Sequence, residues 1–98
     1  MPALSEYSNV YNTAVLLLER KGFRVWMNGE TSLYCCERDG WDFMASSPCG
    51  LLGLVAIFED KAPKEHSKYW WREEGPDHYR DLSNQAPAYV SVIDRRGR

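Results

Sequence analysis

Two glycine dipeptides limit what this chain can become. Asn28-Gly29 and Asp39-Gly40 are the residue pairs a tight hairpin turn demands, since both central residues of a type I′ turn need positive φ. The segments around them, Phe23–Met27, Ser32–Glu37 and Trp41–Ala45, are rich in aromatic and β-branched strand formers. This spacing predicts a three-stranded antiparallel meander.

Helical patterns flank the meander. From Ser5 to Lys21 the apolar residues Tyr7, Val10, Tyr11, Ala14, Val15, Leu17 and Leu18 recur at helical intervals. Ser5 is placed to cap this helix, Glu6 suits the positive end of its dipole, and Arg20-Lys21-Gly22 suits the other end. Ser47-Pro48 offers a cap followed by proline at the first helical position, which predicts a second helix to about Asp60. Val55, Ile57 and Phe58 would equally suit a buried strand, but length and the cap decide for a helix. Its residues Leu51, Leu52, Leu54, Val55, Ile57 and Phe58 cover more than half the circumference, wider than a helix lying on an open sheet requires. A second layer is therefore expected over it, either residues 66–82 folded back or another copy of the chain. Gly50 and Gly53 would let that neighbour come close.

Beyond Lys61-Ala62-Pro63 the pattern predicts a short helix over 65–74 ended by Gly75-Pro76, a further turn from Asp77 to Leu82, and a final strand over Ala88–Asp94. The whole reads as one α+β domain over residues 1–98, with Arg95, Arg96 and Arg98 in a solvated basic tail.

Composition excludes several classes of function. The net charge of −2 is small in both halves: residues 1–49 carry four Lys or Arg against six Asp or Glu, and residues 50–98 carry eight of each. Neither half is a body that grips a phosphate backbone. Met1–Ser8 lacks the pattern of a secretory signal, and the longest nearly unbroken apolar run, Cys49–Phe58, is about half a bilayer span. Three cysteines, with Cys35 and Cys36 adjacent, make no disulfide framework and suit a reducing cytoplasm.

Cys49, at the second position of the predicted helix, sits in the field of unpaired N–H groups, and a small cysteine-dependent enzyme with Cys49 as nucleophile is the catalytic reading. A free cysteine is more often a small core hydrophobe. Cys35 and Cys36 would point to opposite faces of a strand, and Cys49, His66 and His78 are scattered, so no metal or cofactor site is expected. The paired carboxylates Glu59-Asp60 and Glu73-Glu74 fall at element ends where water reaches them.

One stretch remains. Tyr69, Trp70 and Trp71 are consecutive, and neighbouring side chains point about 100° apart in a helix and opposite ways in a strand. At least one ring must leave the main core contact. With His66, Arg72, His78, Tyr79 and Arg80 they form an aromatic and cationic constellation of the kind found on recognition surfaces. The seven acidic residues between Glu59 and Asp81 oppose a nucleic-acid partner. The sequence thus predicts a non-catalytic protein-interaction or ligand-binding module using residues 66–80. It is expected to form a homodimer through residues 51–58 and 69–72, with Trp71 the inward ring and Tyr69 and Trp70 outward.

Overall fold

The computed structural model describes residues 2–95, and of the expected basic tail only Arg95 falls among them. Contacts divide the chain into two compact units, one of them Glu6–Trp71. This unit is α+β: a helix α1 (Tyr11–Arg20), strands β1 (Arg24–Met27), β2 (Tyr34–Arg38) and β3 (Trp41–Ala45), and a helix α2 (Pro48–Lys61). The strands form one antiparallel sheet in the order β1-β2-β3, in which Val25, Cys36 and Phe43 share one register row.

The first helix ends as its glycine predicts. Gly22 takes φ +90, its N–H reaches the Glu19 carbonyl at 2.9 Å, and the Phe23 N–H reaches Leu18 at 3.1 Å. This is a Schellman closure, and its two flanking apolar residues, Leu18 and Phe23, are both buried in the core. The start differs from expectation. A 3₁₀ turn at Ser8–Val10 leads into α1 with no side-chain cap, so Ser5 does not cap it. Glu6 instead accepts a hydrogen bond from the Ser47 hydroxyl at the head of α2.

Ser47 performs two tasks there. Its Oγ also accepts from the Gly50 N–H at 2.9 Å, with Pro48 at the first helical position. Gly50 packs on β3, where an added Cβ would come within 3.0 Å of the Ala45 side chain; at Gly53 nothing lies within 4 Å, so only one of the two glycines serves close approach. Ser47→Ala removes both hydrogen bonds and leaves the Glu6 carboxylate unanswered. It should lower the unfolding free energy by about 1–2 kcal/mol, measured from the urea midpoint at constant slope.

The two turns of the meander part company. Asp39-Gly40 is a two-residue turn with φ +53 and +85, as the sequence predicts. Asn28-Gly29 is not. The Asn28 Oδ1 accepts from Glu30 and Thr31 N–H groups, Ser32 takes φ +60, and the Asn28 N–H bonds to Leu33, so the loop extends from 28 to 33 before β2 begins. The asparagine side chain holds a wider loop, a task that competes with a tight turn.

Helices α1 and α2 pack on each other and on one sheet face. Between them and the sheet lie Leu18, Phe23, Cys36, Leu51, Val55 and Phe58. Arg38 ties the layers together: its guanidinium lies 4.6 Å from the Phe23 ring and 5.6 Å from Phe58, and it donates to the Lys21 carbonyl at 2.7 Å. The opposite sheet face carries two cross-strand rows. Trp26, Cys35 and Met44 form one; Arg24, Glu37 and Asp42 form the other, with Arg24 paired to Glu37 at 2.6 Å.

Two further elements differ from expectation. Residues 65–74 form no helix; Ser67–Trp70 is a hydrogen-bonded turn with Tyr69 at φ +60, a conformation no helix interior accepts. Residues 88–94 form no strand, and a 3₁₀ turn at Val92–Arg95 takes the end of that segment. Tyr89, Val90 and Val92 stay exposed, since β-branched residues favour a strand only where a neighbouring ladder and buried face exist. The described residues outside Glu6–Trp71 are 2–5 and 72–95. Within them Asp77 caps a turn, accepting from the Arg80 N–H at 3.2 Å and pairing with its guanidinium at 3.3 Å. No helix among the described residues is long and apolar enough to cross a membrane.

Candidate functional site: an aromatic wall between two hollows

Alternation along β3 puts Trp41 and Phe43 on the helix-facing side of the sheet, under Phe58 of α2. Trp41 and Phe58 lie 5.1 Å apart and Phe43 and Phe58 5.5 Å apart, centre to centre. Trp70 closes this cluster. Its indole meets Trp41 edge-on at 5.4 Å and Phe58 at 6.1 Å, and sits 6.4 Å from Phe43. These separations are those of favourable ring pairs, each contributing about 0.5–1.5 kcal/mol beyond its buried area.

The Ser67–Trp70 turn gives Trp70 this position. A bulky residue at positive φ is a strained exception, and Tyr69 adopts it at the bend. The reversal sends Trp70 inward and leaves Tyr69 and Trp71 outside, edge-to-face at 5.8 Å, with the Lys68 ammonium 5.3 Å from the Tyr69 ring. The expected order is thereby corrected: Trp70 is the half-buried ring on the core, and Trp71 is 49% exposed. Helical spacing between Trp71, Ser67 and Glu74 suggests otherwise only if the segment is a helix.

Trp70 stands between two hollows. One, of about 430 Å³, is walled by Trp41, Phe43, His66 and Trp70, with Asp39, Asp42 and Glu65 around it. His66 lies 6.3 Å from Trp41. The other, of about 230 Å³, is apolar and runs between Leu54 and Ile57 of α2 and the rings of Phe43, Trp70 and Trp71. This groove is the part of the wide α2 face that the chain's own core leaves uncovered: Leu51, Val55 and Phe58 are buried, while Ile57 is 42% exposed.

Of the residues singled out by sequence, His66, Tyr69, Trp70 and Trp71 belong to this unit and surround the wall. Arg72, His78, Tyr79 and Arg80 belong to the other unit, where Arg80 is held by Asp77 and Tyr79 is exposed. Sequence reasoning missed Trp41 and Phe43 as site residues, whereas Leu54 and Ile57 fall within the 51–58 surface it assigned to an interface. The signal for the first two was the i, i+2 spacing of large rings in a strand beside a tight turn.

The cysteines lie elsewhere in the unit's chemistry. Cys36 is fully buried in the core and Cys35 faces the opposite sheet side between Trp26 and Met44, while Cys49 is half-buried in the first turn of α2. Burial, with Cys35 and Asp42 adding repulsion, pushes the Cys36 thiol from its ordinary 9.0 up to about 11. The folded state therefore holds this proton more tightly than the unfolded chain does. Its contribution to stability is full below pH 9 and is lost as the pH rises through about 11. The fall in urea midpoint between pH 9 and 11 should be visibly shallower in Cys36→Ala than in the unaltered chain. No group of three or more His, Cys, Asp or Glu that could hold a metal occurs among the described residues.

No protein-family model, curated protein or solved structure matches this chain.

Proposed function

We propose that this chain is a non-catalytic interaction module that captures a protein partner on the Trp70–Trp71 wall. The observation that carries this reading is the apolar groove itself: Leu54, Ile57 and Trp71 line a hollow beside an ordered aromatic core rather than forming a scattered set of surface apolar groups. A large indole half in water at the centre of such a patch is the usual anchor of a binding surface. The Tyr69 bend supports the same reading, because in turning Trp70 onto Phe58 it also leaves Trp71 outward beside the groove. Three unpaired thiols support a cytoplasmic setting.

A second copy of the chain is the first partner to test, because it is always present. Sedimentation velocity across micromolar concentrations should show a monomer–dimer equilibrium that Trp71→Ala shifts to monomer by at least tenfold in dissociation constant. A strictly monomeric chain whose Leu54 and Ile57 methyl resonances respond to no polypeptide would overturn the module.

A further inference from the structure

Resting on that reading, we infer that the larger hollow receives a basic side chain, arginine or lysine, of a partner polypeptide whose neighbouring apolar side chain fills the groove. Three observations converge on this chemistry. Trp41 and Trp70 present indoles to the hollow, and an indole face is the strongest aromatic partner for a cation. Asp39 and Glu65 line it, Asp42 having its side chain on the opposite sheet face, while no Lys or Arg among the described residues does, although the chain as a whole is only two charges from neutral. Neither of these two carboxylates is in an ion pair among the described residues. The negative charge gathered here is thus available to an incoming cation, and the rings beside it can strip part of that cation's water.

The partner is a polypeptide rather than a free ammonium because of the second hollow. Phe43 and Trp70 line both hollows, so the two adjoin. In an extended peptide, residues i and i+2 project from the same side roughly 7 Å apart. A peptide carrying an apolar residue and, two positions on, a basic one presents both side chains to one surface, as two adjoining hollows require. A guanidinium suits the larger hollow particularly, since its plane can lie along an indole while its edge donates to carboxylates.

The test is a proton–nitrogen NMR titration at pH 7.5 with three acetylated, amidated tripeptides: Leu-Ala-Arg, Leu-Ala-citrulline and Ala-Ala-Arg. Citrulline keeps the shape of arginine and removes its charge. Saturable shifts of the Trp41 and Trp70 indole N–H resonances are expected with Leu-Ala-Arg, at least fivefold weaker with citrulline. They should weaken similarly in the double variant Asp39→Asn/Glu65→Gln, whose melting temperature serves as the folding control. Equal binding of the arginine and citrulline peptides, or an unaltered affinity in the double variant, would overturn the cation site. If Leu54 and Ile57 still responded, the interaction module would survive that result. Equal binding of Ala-Ala-Arg and Leu-Ala-Arg would overturn the polypeptide pairing, and no response to any peptide would overturn the inference outright.

Discussion

Phe58→Ala should be among the most damaging single changes in this chain, lowering the unfolding free energy by about 4 kcal/mol, within the range for deleting a buried aromatic ring. Phe58 is where the layers meet. Trp41, Phe43 and Trp70 all pack on it within 6.1 Å, and the Arg38 guanidinium lies 5.6 Å from its ring. Removing it leaves a cavity that neither the sheet nor α2 can collapse into without moving Trp70. Urea denaturation at constant slope measures the loss, and near-ultraviolet circular dichroism should weaken in the residual folded state. A loss below about 1 kcal/mol would show that the site already tolerates the gap by rearranging, and that the aromatic wall is not built on this ring.

Trp70→Ala and Trp71→Ala should differ sharply although the residues are adjacent. Trp70 is half-buried against Trp41 and Phe58, so its truncation should cost about 3 kcal/mol, the low end of the core range because one side of the ring faces the hollows. Trp71 is half in water, and its truncation should change stability by under about 1 kcal/mol. Binding should reverse the order: Trp71→Ala is expected to weaken association by tenfold or more while the fold stays intact. Paired measurements of urea midpoint and sedimentation on both variants decide the matter. Equal, large stability losses with no change in association would mark the segment as structural throughout.

Much of this architecture was legible wherever a local signal and the tertiary structure agree. Ser47-Pro48 begins a helix because the hydroxyl cap and the proline act within one turn, and Gly22 ends one because Leu18 and Phe23 also need to be buried together. Asp39-Gly40 turns tightly because its neighbours pair in register on both sides. The misreadings occur where a local preference had a competitor. Asn28 spends its side chain on the Glu30 and Thr31 N–H groups, widening a loop that its dipeptide alone would make tight. Tyr69 accepts a left-handed backbone, which propensity opposes, because that bend lets Trp70 reach Phe58. Half of the site was legible for the same reason: consecutive rings announce that one must be presented outward, but which one depends on the bend. The walls contributed by Trp41 and Phe43 come from a strand distant in sequence, and only the folded sheet brings them to Trp70.

The edge-on pairing of Trp41 and Trp70, at 5.4 Å and 77° between planes, also makes the molecule its own optical reporter. Two indoles so close and so inclined couple their electronic transitions into a split band of opposite signs in the far-ultraviolet circular dichroism spectrum. Trp26 lies on the opposite sheet face, while the outward Trp71 forms its own edge-on pair with Tyr69 at 5.8 Å. The part of the split band that is lost in Trp41→Phe therefore monitors the Trp41–Trp70 pair. An occupant wedged against Trp70 changes the angle between the two chromophores, and its arrival can be followed on the unlabelled chain, in real time, without a tag near the surface it reports on.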